Sequence, residues 1–194
     1  MVSIDPDLHR RLTEVRDVLT YSFDFEVLDK ALGPEAYLTP SPWLPAFTVL
    51  DADYAIVARD AMGGVYVVCE PAASAEKCCL HIDTQGHRVA LGADLDQALC
   101  LILELPYWRE ILTAAPSQQL GELRAAAQHL ERELSDDMPA LEAARADMFG
   151  TLALPRLPDP VATLLERATN KAPVDVVSPH GWEYQGLGAQ AAAS

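Results

Sequence analysis

Positive charge is scarce in this sequence, and nothing in it marks a membrane or a secretory route. Fourteen Lys and Arg side chains stand against 29 Asp and Glu, for a formal charge of −15. So few bases argue against a DNA or RNA binder, because holding phosphates takes a basic surface. No apolar run approaches the roughly 18 to 20 residues that a membrane span requires. The first residues, MVSIDPDLHRR, carry no hydrophobic stretch of the signal-peptide kind. Neither nucleic acid nor a membrane is therefore expected as a partner. The cysteines are few (Cys69, Cys78, Cys79 and Cys100) and form no C-x-x-C pair, which predicts reduced thiols in a cytoplasmic protein. Signatures of catalysis are missing as well. There is no G-x-S-x-G, and the DAMGG segment at 60–64 lacks the lysine of a phosphate loop, so its glycines suit a hairpin turn. An enzyme is not expected, nor is a cofactor.

What is present is a chain of 194 residues, 50% of them hydrophobic. That is enough apolar surface to offset the entropy of ordering the chain, and a length that favours one globular unit. The acidic excess runs through the whole sequence with no acidic tail, so it decorates folded surface. Its simplest effect is solubility through self-repulsion; its sharper meaning is a strongly basic partner.

Periodicity divides the chain. Asp5 and Pro6 suit the cap and first turn of a helix whose Leu8, Leu12, Val15 and Leu19 recur at helical spacing. The pattern decays after Tyr21, and 34–45 holds four prolines, an irregular connection anchored by Tyr37, Trp43 and Phe47. Segments 53–59, 64–69, 77–82 and 87–91 are short, β-branched or aromatic, and separated by turn residues, which predicts a four-strand antiparallel meander. In the third of these, Cys78, Leu80 and Ile82 share one face, read as the core side, and Cys79, His81 and Asp83 share the other. From Asp94, a cap with Gln97 three residues on, the period becomes helical. Further helices are expected from Ser117 to Leu134, after Asp136 or Asp137, and from Asp159–Pro160. A hairpin turning near His180 and Gly181 and a frayed end follow. The expected fold is α+β: a mainly antiparallel sheet of four to six strands packed with helices over 1–116, a helical extension over 117–170, and a terminal hairpin and tail over 171–194.

Two constellations invite chemistry. Cys79, His81, Asp83 and His87 combine thiolate, imidazole and carboxylate, a donor set that suits zinc, although ligands side by side on one strand converge poorly. Trp43, Tyr107, Trp108 and Trp182 lie near prolines or turns instead of inside the apolar stripes. Such residues pack over a core edge or serve as anchors for a partner.

From Tyr54 to Leu112 the order of motifs is informative. An A-R-D-x-x-G-G-x-Y hairpin (Ala58 to Tyr66) leads to a strand ending in I-D-x-x-G (Ile82 to Gly86). A D-L-D-Q-A-L helix start (Asp94 to Leu99) and L-P-Y-W-R (Leu105 to Arg109) follow. This succession resembles the SUKH superfamily. The resemblance implies a mixed α/β core around a strongly bent sheet and action by binding, since many bacterial members are immunity proteins for polymorphic toxins, often nucleases, and others are adaptors. The paired-glycine turn that many members carry after the first helix is replaced here by the proline-rich 34–45 stretch. The expected function is thus a non-enzymatic immunity protein, monomer or dimer, that neutralises a basic toxin. Asp51, Asp53, Asp60, Glu70, Glu76 and Asp83 are its expected docking carboxylates, and Trp43 and Trp108 its anchors. A self-associating scaffold or regulatory module is the alternative, followed by a metal enzyme built on Cys79, His81, Asp83 and His87.

Overall fold

Local signals start the first helix where the sequence places it. In the computed structural model, which describes residues 2, 4–33, 47–73, 77–115, 119–170 and 172–187, the Asp5 carboxylate accepts from the Asp7 N–H at 2.9 Å. Pro6 opens α1 (Pro6–Glu14), which buries Leu8 and Leu12. The expected single helix is interrupted at Val15 and resumes as α2 (Arg16–Phe23), burying Leu19 and Phe23. A strand the sequence did not announce follows, β1 (Glu26–Leu32). Only its Val27 is fully buried and its register is irregular, so no clean alternation marks it.

After β2 (Thr48–Val49), the four expected strands form β3 (Ala52–Arg59), β4 (Val65–Pro71), β5 (Cys78–Ile82) and β6 (His87–Gly92). Each pairs antiparallel with its successor. Val57 in β3 and Leu91 in β6 are extra residues in their ladders. Such bulges sharpen twist and bend a strand. The helices α3 (Leu95–Glu104), α4 (Trp108–Ala114), α5 (Leu120–Asp137), α6 (Leu141–Leu152) and α7 (Pro160–Thr169) come next, then β7 (Val176–Val177) and β8 (Gln185–Gly186). Helix α3 is capped as expected, with the Asp94 carboxylate accepting from the Gln97 N–H at 2.8 Å. Its reciprocal arm differs, because the Gln97 side chain reaches the Ala93 N–H. Asp159 caps α7 through the Ala162 N–H at 3.0 Å. The expected start of α5 at Ser117 lies outside the described residues.

The main sheet runs β1-β3-β4-β5-β6-β8, parallel only between β6 and β8, and β2 pairs with β7 in a separate two-stranded ribbon. The fold is α+β with a C-terminal helical part. Both faces of the meander are buried, which corrects the expectation of a single core side. Tyr66, Val68, Cys79, Val89 and Leu91 face the helices, together with Leu123, Met148, Phe149 and Leu164 of the C-terminal helices. Tyr54, Val67, Cys69, Cys78, Leu80 and Ile82 face the other way, beneath Phe47, Val174, Val176 and Tyr184. The polar-seeming alternation in β5 therefore separates two cores and not a core from solvent. All four cysteines are buried free thiols. Among the described residues, no helix is long and apolar enough to cross a membrane.

The second core is closed by the C-terminal segment, whose hairpin turns where expected, with the Ser178 N–H donating to the Trp182 carbonyl at 2.8 Å. The buried Arg88 guanidinium clamps this segment to β6. Its Nε donates to the Tyr184 carbonyl at 3.0 Å, and one terminal nitrogen donates to the Val174 carbonyl. Glu183 and Asp175 lie beyond at 3.2 and 3.3 Å. Removing that guanidinium strands two carbonyls, at a cost of about 2 kcal/mol. Arg88→Ala should lower Tm by about 6 °C and raise amide hydrogen exchange in 174–186 while leaving the protection of β3–β5 in place. Uniformly faster exchange over the whole sheet would show that Arg88 does not act as a local clamp.

Candidate functional site

Where β3 ends, the DAMGG turn folds back on its own first residue. The Asp60 Oδ1 accepts from the N–H groups of Met62 and Gly64, both at 2.8 Å. Gly63 sits at φ +83°, and a Cβ on Gly64 would lie 2.4 Å from the Asp60 carboxylate and 2.6 Å from the His81 ring. Glycine at 64 is thus what lets the turn close over this pair. The Asp60 Oδ2 receives His81 Nε2 at 2.6 Å and also the Arg109 guanidinium. Because a carboxylate only accepts, the His81 proton on this side is on Nε2. Arg109 also donates to Asp24, whose other oxygen accepts from the Ala61 N–H at 2.8 Å. Trp108 and Tyr66 stand edge-on to the His81 ring, with centroids 5.1 and 5.0 Å away.

The protonation states follow from this packing. Burial alone would raise the Asp60 carboxyl, but the His81 hydrogen bond, the Arg109 charge and the backbone N–H of Gly64 outweigh it and hold Asp60 down at about 2. Burial, helped by the Arg109 charge, holds the His81 imidazole below its ordinary value against the opposing pull of Asp60. His81 is accordingly a neutral hydrogen-bond donor between an ionised Asp60 and a Trp108–Tyr66 wall. Arg109 is held firmly cationic, since its carboxylate neighbours more than offset the penalty of burial.

These positions correct several expectations. Asp60, only 4% exposed, and Trp108, 1% exposed, are interior residues and unavailable to a partner. Asp60 is buried because its turn and Arg109 satisfy every side of the carboxylate, and Trp108 because α4 carries it under His81. Of the remaining carboxylates, Asp51 and Asp53 are exposed and Glu70 pairs with Lys77 at 2.5 Å. Asp53 and Glu70 are cross-strand neighbours at one end of the meander. Asp83 lies at the opposite end, where β5 leads into the turn to β6. Seven strand steps of about 3.3 Å separate Asp53 from Asp60, so the expected carboxylates do not form one surface. Glu76 and Trp43 fall outside the described residues.

The zinc-like quartet does not converge either. His81 commits its Nε2 to Asp60, and Cys79 is enclosed in the helix-side core. Asp83 instead organises its own turn, accepting from the Gln85 and His87 N–H groups at 2.8 Å and contacting His87 Nδ1 at 2.9 Å. Among the described residues, no three His, Cys, Asp or Glu side chains are grouped to hold a metal ion.

Outside the buried network, Arg109 and Asp24 form part of the wall of an open groove of about 530 Å³. The last turns of α2 and α5 and the first of α4 frame it, with Glu110, Glu133 and Asp137 on its sides and Leu130, Leu134 and Met138 below. Sequence reasoning missed this groove, because its walls come from three helices that meet only in the folded chain. Its one legible trace is the i,i+4 spacing of Glu133 and Asp137, beside Leu130 and Leu134.

No family model, curated protein or solved structure matches the chain.

The shifts of Asp60 and His81 set the direction of the pH response. Below about pH 6.5, His81 of the unfolded chain takes up a proton that the folded protein refuses, so stability falls. The contribution of Asp60, present above its unfolded value, is lost as the pH drops towards about 2. Stability should therefore be level between about pH 7 and 8 and decline from about pH 6.5 to 5, by no more than about 1.4 kcal/mol per pH unit from His81. His81→Gln should lower Tm at pH 8 and flatten the decline between pH 7 and 5. Equal slopes for the two proteins would rule out a neutral, buried His81.

Proposed function

We propose that this chain is a SUKH-type binding protein, a cytoplasmic, non-enzymatic immunity protein that neutralises a basic, nuclease-like toxin by direct contact. One observation carries this proposal. Part of the motif set on which the SUKH resemblance rests, Asp60, Gly64 and Tyr66 of the hairpin and Trp108 and Arg109 of L-P-Y-W-R, meets in one cluster around the buried His81. The shared motifs therefore describe a scaffold, as expected of proteins that keep a core and vary their surface to suit a partner.

Charge supports the same function. Arg88, Arg109 and Arg145 are each engaged with two or more carboxylate or carbonyl groups in or near the interior. Acidic side chains such as Asp51, Asp53, Glu110, Asp136, Asp137 and Asp147 remain on exposed or rim positions. A surface of that kind draws a cationic protein in from solution and lifts its association rate by about 10- to 1,000-fold at low ionic strength.

Affinity capture of the tagged chain from its host's lysate tests the proposal, read by mass spectrometry at low and moderate salt. A single basic protein in stoichiometric amount is the expected product, with its association rate falling at least about tenfold as salt screens the charges. Asp51→Asn, Asp53→Asn and Glu70→Gln together should slow association by a smaller factor through their share of the field. A stoichiometric partner that is acidic, or one whose association ignores salt, would refute it.

A further inference from the structure

The groove beside the buried network has the shape and charge of a docking site. Its volume, about 530 Å³, is that of a pocket for a few side chains. The base is apolar, because Leu130, Leu134 and Met138 sit half-buried against the core. Tyr21 stands at the lip, 82% exposed, and Met62 in the turn next to Ala61 is 79% exposed. Among the described residues three large apolar side chains, Tyr21, Met62 and Trp182, are more than three-quarters exposed, and two of the three lie at or beside this one groove.

Its electrostatics point one way. Four carboxylates line the groove, Asp24, Glu110, Glu133 and Asp137, against the single guanidinium of Arg109. That guanidinium is already bound to Asp60 and Asp24. Two helices also end here. The last turns of α2 and α5 form walls of the groove, and neither holds a basic residue. A helix C-terminus carries a partial negative charge, so acids such as Asp136 and Asp137 weaken the end of α5 instead of stabilising it. The fold gains nothing from that placement. A cation seated in the groove would.

We propose that this groove docks an arginine-bearing segment of a basic protein. The guanidinium lies between Glu133, Asp137 and Glu110 and stacks on Tyr21, while the alkyl stem and an adjacent apolar side chain rest on Leu130, Leu134 and Met138. Arginine fits better than lysine, because a planar guanidinium can stack on a ring and bond two carboxylates at once. This rests on the binding function proposed above and names its surface. A second copy of the chain is a poor occupant, since two bodies of charge −15 repel.

The test is fluorescence anisotropy of the full chain with a fluorescein-labelled peptide of alternating Arg and Leu, and with its Lys–Leu counterpart, at about 50 and about 300 mM NaCl. Three variants are compared, each checked for an unchanged thermal melt. One is Glu110→Gln/Glu133→Gln/Asp137→Asn at the groove. The second, Asp51→Asn/Asp53→Asn/Glu70→Gln, removes the same charge at the far end of the sheet. The third is Tyr21→Ala, which leaves the charge alone. The expected result is binding weakened about tenfold or more by the groove triple, about twofold by the distal triple, and about threefold by Tyr21→Ala at both salts, with the Arg peptide tighter than the Lys peptide. Equal losses from the two triples with no effect of Tyr21→Ala would overturn the groove and leave a field-driven basic partner standing. Spermidine competing as well as the peptide would make the site one for small polyamines and overturn it too. A captured lysate partner that binds the groove triple as tightly as the parent chain would overturn the groove alone. Tight, groove-dependent peptide binding with no basic partner captured would uphold the groove and count against the immunity function.

Discussion

The hydrogen-bonded burial of the Asp60 carboxylate is the constraint around which the helix side of the molecule is arranged. An ionised carboxylate out of water is costly unless each of its lone pairs is satisfied. Here the satisfaction comes from four directions: the turn after β3, His81 on β5, Arg109 on α4, and through Arg109 the residue that joins α2 to β1. Removing any one donor leaves the others facing a charge that is only partly neutralised, which couples elements far apart in the chain. The sheet, the first helical pair and α4 are therefore held in register by one group.

That coupling also explains why the groove exists where it does. Arg109 must reach inward to Asp60, so α4 begins close to the 60–64 turn, and α5 crosses over it at Tyr107, whose hydroxyl donates to Glu131. The space left between α2, α4 and the end of α5 is not filled by side chains from the core. Its walls inherit whatever the outer faces of those helices carry, and in this chain they carry acids. Scaffold and proposed docking surface thus share residues without sharing roles, since Arg109 and Asp24 look inward to the network and their neighbours look outward.

A second core on the far side of the sheet gives the fold its three-layer character. The meander alone would expose Tyr54, Val67, Leu80 and Ile82. The C-terminal segment covers them, held by Arg88 and by the parallel pairing of β8 with β6. The same lid makes a strand such as β5 hydrophobic on both faces, which is why its alternation of cysteines, leucine, histidine and isoleucine misleads when read as core against solvent.

What the amino-acid sequence determined by itself is the short-range part of this protein. The caps at Asp5, Asp94 and Asp159 depend on partners two or three residues away. The meander depends on turns of a few residues between β-branched runs, and the net charge on counting alone. Each of these is decided within one or two turns of chain, where propensity and periodicity act. The tertiary structure decided the rest. The strand at Glu26–Leu32 exists because β3 offers it an edge, not because its own pattern demands one. Asp60 and Trp108 look like surface residues in the sequence and are interior ones because His81 and Arg109, 21 and 49 positions from Asp60, arrive to enclose the carboxylate. A charge is buried or exposed according to the partners that meet it, and for this chain those partners come together only when the sheet and helices have packed.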